Sequence, residues 1–186
     1  MKKVLSFSFI ITLIGLNLSC KKKEVDKLTE FDINYTNNIT IPSSSITVTT
    51  PTTTVEFTTP NVPTQQATKF SEAGTSQSLI NEIKMTRLNL SAISTSTTTT
   101  ANLDYLKSIT IFIKASGVGE TMIASKSDIP VGLTSVLMDM QDMNIKEYIF
   151  KDNIQFRVLA IFDASSASNQ TLKMDETVRV SAKLLK

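Results

Sequence analysis

Hydrophobic residues recur with a period of two along most of this chain, and that spacing predicts strands. Phe31, Ile33, Tyr35, Ile39 and Ile41 alternate with Asp32, Asn34, Thr36, Asn38 and Thr40. The alternation predicts a half-buried strand that stops at Pro42. Ile46 and Val48, then Val55 and Phe57, stand in a Ser/Thr tract punctuated by Pro51 and Pro60. Thr and Val suit the pleat and Pro is confined to edges, so two short edge strands are expected there. Leu88, Leu90 and Ala92 mark a strand over Lys84–Ala92, and Lys107–Ala115 is the clearest strand of all. Its core face is Ile109, Ile111 and Ile113, while Phe112 on the other face suggests a central position. Gly117-Val118-Gly119 turns it into a hairpin with Glu120–Ser125. Leu133–Met140 follows, with Val136, Met138 and Met140 on one face. The last two strands carry Ile154, Phe156, Val158, Ala160 and Phe162, then Leu172, Met174, Val178, Val180, Ala182 and Leu184.

Helical spacing occurs twice, and both times briefly. Thr75 and Ser76 offer an N-cap for a helix with Leu79, Ile80 and Ile83 on one face. Asp142 is the expected cap of Met143–Phe150, whose Ile145, Tyr148 and Ile149 point inward. Asn61–Gly74 has no clean period and reads as loop. Asn102–Tyr105 reads as a turn, and Ser94–Ala101 and Asp163–Gln170 are Ser/Thr-rich connections. The expected fold is all-β: one antiparallel β-sandwich, immunoglobulin-like in architecture, with two short helices, over residues 31–186. The chain has no Trp and no cysteine pair, so it cannot carry a true immunoglobulin signature.

The N-terminal stretch breaks the strand pattern. Lys2 and Lys3 precede a nearly unbroken apolar run, Val4–Leu16, and Ser19-Cys20 closes it before Lys21-Lys22-Lys23. A positive start, an apolar stretch of 7–15 residues and a small residue at the cut describe a signal peptide. The run falls short of the roughly 20 residues that a permanent membrane helix needs. Cys20 is the single cysteine of the chain. On these residues the chain resembles bacterial lipoprotein precursors. Their lipobox ends in a small residue and then the cysteine that is lipidated and becomes the first residue after cleavage. The family usually has Leu three places before the cysteine; here Asn17 stands there between Leu16 and Leu18. The resemblance implies a signal helix at 1–19 cleaved between Ser19 and Cys20, and a lipidated cysteine with its tether at 20–30. It also implies attachment to the membrane through lipid on Cys20, in the cell envelope and at the outer membrane, on its periplasmic or surface face. One acyl chain binds a membrane only marginally, so such anchors carry two or more.

Lys23, Glu24 and Asp26 in the tether loosely resemble the surface-export signals of Bacteroidota lipoproteins. The run Leu103-Asp104-Tyr105-Leu106-Lys107-Ser108-Ile109, with Lys146-Glu147-Tyr148-Ile149 and the final strand, resembles uncharacterised β-sandwich lipoproteins of the same group. That resemblance brings the fold and no activity.

Composition narrows the chemistry. With no His there is no imidazole base, no His-based triad and no ordinary zinc site. The formal charge of +2 gives no case for nucleic acid. No glycine loop of phosphate-cradling type occurs, since Gly117 and Gly119 belong to a hairpin turn. Carboxylates alone could serve a glycoside hydrolase. The nearest candidates are Asp139 with Asp142 and Asp175 with Glu176. Asp142 reads more simply as a helix cap, and neighbours such as Asp175 and Glu176 point to opposite faces of a strand. Asp139–Asn144 lacks the alternate-residue spacing of a calcium loop. Met138, Met140 and Met143 read as core filling rather than an adaptable binding surface, and Tyr35, Tyr105 and Tyr148 sit in packing patterns. The expectation is therefore a lipid-anchored envelope protein, a binding or structural module and not an enzyme. No catalytic residue, metal ligand or cofactor is expected, and the partner is an envelope protein or a glycan met by the Ser/Thr-rich loops. The alternative is an envelope hydrolase that works with carboxylates only.

Overall fold

The computed structural model of the chain describes residues 30–48, 51–93, 101–166 and 169–182. The expected signal helix, Ser19, Cys20 and nearly all of the tether lie outside the described residues. The chain folds as an all-β sandwich of two antiparallel sheets, as the alternation demands. The first sheet has the order β1-β10-β4-β7, from Glu30–Ile41, Gln170–Ala182, Ile80–Ile93 and Ser135–Leu137. The second has the order β2-β9-β5-β6-β8, from Thr53–Thr58, Asn153–Phe162, Leu106–Ala115, Val118–Lys126 and Asp139–Met140. A two-residue strand β3, Val62–Pro63, continues the β2 edge against β9. Among the described residues two short helices, α1 at Gln66–Glu72 and α2 at Lys146–Ile149, accompany the sheets.

The core is the sum of the period-two faces. Ile109, Ile111 and Ile113 of β5 are buried between the sheets, as are Ile154, Phe156, Val158, Ala160 and Phe162 of β9. Leu172, Met174, Val178 and Val180 of β10 close the layer from the other side. As expected, β5 is central, between β9 and β6, and Gly117 turns the β5–β6 hairpin at a φ of 71°. That left-handed conformation favours a residue without Cβ.

Five expectations need correction, each for a local reason. Thr75–Ile83 is not a helix: Gln77–Leu79 makes one 3₁₀ turn and β4 starts at Ile80. The register slips between Ser181 and Ala182 and again between Thr177 and Val178, so Asn81 and Thr86 of β4 fall outside the pairing register with β10. Each bulge adds one residue, so Ile80 with Ile83 and Met85 with Leu88 face the core at a spacing of three. That spacing imitates a helix. Asn61–Gly74 is not plain loop: it holds β3 and α1, whose one buried side chain, Phe70, sits edge-on between Phe31 and Phe150. A helix held by a single anchor has no period to read.

Leu133–Met140 does not form one strand. It passes from the first sheet at β7 to the second at β8, with Met138 buried at the crossing. Ile46 and Val48 form no strand; Ile46 is fully buried, and its carbonyl accepts the Ser166 amide while Ser165 Oγ accepts that of Val48. At α2 the expected cap is displaced. Asn144 Oδ1, not Asp142, accepts the Lys146 amide at 3.1 Å, and Asp142 pairs with Lys84 at 2.8 Å.

Candidate functional site

The strand registers sort the connections between the two ends of the sandwich. Ile41 pairs with Gln170, Ile93 with Thr171, and Phe162 with both Thr53 and Leu106. The Ser/Thr-rich connections that follow β1, β4 and β9 therefore leave from one end. Here Asn169 Oδ1 accepts the Ser43 amide at 2.9 Å, and Gln170 Nε2 donates to Ser166 Oγ at 2.7 Å. Asp104 accepts from the Gly132 amide and from Asn102 Nδ2, which ties the Val131–Leu133 turn to the start of β5. Ser44, Thr47 and Ser165 stand exposed at this end, and so does Val131. Glu30 pairs with Ser181 at the opposite end.

That opposite end of the second sheet carries a half-open groove of about 660 Å³. Lys114, Lys151, Asp152, Asn153 and Gln155 line it together with Glu120. Glu120 is already engaged. Arg157 donates to both of its oxygens, Nε at 2.8 Å and Nη2 at 2.6 Å, and also reaches Glu56 at 3.1 Å. The Arg157 guanidinium holds the Glu120 carboxyl below the usual range. Arg157 itself lies on Phe112, 3.9 Å from the ring centroid, so the guanidinium is stacked on the outer face of the sheet.

A second polar cluster lies inside. Glu176 falls in phase with the apolar row of β10 and is buried, opposite Tyr35 of β1 and Leu88 of β4. Asn37 Nδ2 is 3.1 Å from both carboxyl oxygens. Burial raises the Glu176 carboxyl to about 7, the Asn37 donor pulls it back in part, and Asp175 pushes it up further. Tyr35 donates its hydroxyl to the Thr64 carbonyl at 2.8 Å, and burial with the Glu176 charge lifts it to about 12. Thr64 is buried, with Oγ1 donating to the Lys151 carbonyl at 2.6 Å.

The carboxylates singled out in the sequence do not come together. Asp139 pairs with Lys126 at 3.0 Å and Asp142 with Lys84. Asp175 lies on the outer face, where Lys173 and Thr36 lower its carboxyl, while Glu176 points inward. Among the described residues, no three acids, cysteines or histidines are grouped as metal ligands would be. No described helix is long and apolar enough to cross a membrane. Tyr105 and Tyr148 are buried and Tyr35 is half-buried, as packing residues. The buried Glu176 was not anticipated, although its phase within Leu172–Val180 was a readable signal.

No family model matches the chain. No curated protein matches it either. Among solved structures, a chain of Desmodium yellow mottle tymovirus is similar over 84 % of this chain and 90 % of its own, at 10 % identity. The TM-score is 0.24, too low for that likeness to carry an argument about fold or activity.

Proposed function

We propose that this chain is a lipid-anchored cell-envelope protein, attached through Cys20, that serves as a binding or structural module. Its contact surface is the end of the sandwich where the Ser/Thr-rich connections meet. The observation that carries the reading is the direction of β1. That strand runs twelve residues from Glu30, the side on which a tether from Cys20 would join, to Ile41 at the polar loops. At about 3.4 Å per residue it holds the two ends roughly 35–40 Å apart. A module anchored at its Glu30 end offers the far end to partners in the envelope, and loops on a rigid scaffold are where binding residues concentrate. The groove with Lys114 and Lys151 faces the anchored side, where lysines gain about 1 kcal/mol each near an anionic surface.

A photo-activated cross-linking residue placed at Ser44, Ser165 or Ser116 tests the contact surface in intact envelopes. Discrete adducts from Ser44 and Ser165, and none from Ser116 beside the groove, are the expected result. Adducts from Ser116 alone would move the contact surface to the other end and contradict the proposal.

A further inference from the structure

β1 is an edge strand: β10 holds it on one side, and no described strand pairs with it on the other. β10 lies between β1 and β4, so its inward side chains are shielded by both neighbours and by the opposite sheet. Among those side chains Glu176 is the one ionisable group, with a relative exposure of 1 %. Asn37 of β1 bridges its two oxygens, and Tyr35 of β1 stands opposite it in register. Both are neutral, and no described lysine or arginine offsets the charge of Glu176. The other charge that reaches it, Asp175, lies on the outer face, has the same sign and is kept ionised by Lys173. Leu88 faces it from β4.

An ionised carboxyl in such a place is costly unless it gains a counter-charge or water. Water has a short way in. Moving an edge strand breaks one ladder, whereas exposing β10 from the β4 side would break the sheet in its middle. We propose that the buried Glu176 acts as an acid-closed latch on β1, so that β1 sits firmly on β10 while the carboxyl keeps its proton and opens as the proton is lost, with the Asn37 donor opposing that opening only in part. Tyr35 belongs to the same latch, because its hydroxyl bond to the Thr64 carbonyl ties β1 to the segment that follows β3. The open form exposes the β10 edge from Gln170 to Ala182, a row of unpaired amides and carbonyls of the kind that accepts another strand.

The direction follows from proton binding. The closed form holds its proton to about pH 7, whereas a carboxyl in water loses it near 4.5. Opening therefore becomes easier as pH rises from about 4.5 to about 7 and levels off above that. Hydrogen exchange of the full chain, read in peptides from 30–41 and corrected for intrinsic rates, tests this. Protection in β1 should fall on the order of 100-fold across that window, and at every pH β1 should be far less protected than β9, which exchanges only through global unfolding. Glu176→Gln, which keeps the shape and cannot ionise, should hold β1 protection level across the same range. Wild-type β1 protection that does not change, or that equals β9 protection at every pH, overturns the latch whether or not the variant folds. The same decline in Glu176→Gln would also overturn it.

Discussion

Thr59 continues the β2 ladder past the end of the strand by using its side chain in place of a carbonyl. Its amide donates to the Phe156 carbonyl at 2.8 Å, and its Oγ1 accepts the Phe156 amide at 2.9 Å. Thr59 is buried, so this hydroxyl bridges the gap between β2 and β3 where water does not reach. Thr59→Val, which keeps the shape, should leave the Phe156 amide unpaired and cost about 1–3 kcal/mol. Urea unfolding measures that loss. Thr59→Ser should recover most of it, and an unchanged valine variant would show that the bond contributes nothing.

Val158 is fully buried midway along β9, paired with Phe57 and Ile111. Val158→Asp puts a carboxylate there without a partner, at a cost of several kcal/mol. Domains of this kind have about 5–15 kcal/mol in total. The variant should unfold at much lower urea or be insoluble on expression. Unfolding at the wild-type midpoint would contradict the register of β9.

Glu176 also sets a pH dependence of global stability. Its carboxyl titrates near 7 in the fold, against an ordinary value of 4.5. Stability is then fully present below about pH 4.5 and declines until about pH 7, by roughly 3 kcal/mol. Unfolding free energies at pH 4.5 and 7.5 should differ by that amount in wild type and by much less in Glu176→Gln. Equal slopes in the two proteins would place the titration elsewhere.

How much of this was legible follows from which signals are periodic. Ile109–Ile113 and Ile154–Phe162 alternate without interruption, and the structure buries every residue of both rows. Ile80 and Ile83 misled because a bulge at Asn81 imposes a spacing of three on a strand, and local sequence does not separate that from a helix turn. Phe70 was silent because a lone apolar residue in a short helix has no pattern; its rings of contact, Phe31 and Phe150, are far away in sequence. The burial of Glu176 was missed for the opposite reason. Its phase was plain, but a carboxylate in an apolar row contradicts the usual burial preferences, and its partner Asn37 comes from the other end of the chain. The gathering of the polar connections at one end needed the registers, which hydrophobic pattern alone does not specify.

The anchoring of the module at Cys20 is the central claim, and metabolic labelling tests it most directly. Cells expressing the full chain would be fed labelled palmitate, and the protein then recovered from membrane and soluble fractions. Wild type should carry the label and partition with the membrane at the mass of the chain cleaved before Cys20. Cys20→Ser should carry no label and be soluble or uncleaved. Equal labelling of the two proteins, or an unlabelled wild type released without lipid, would contradict it.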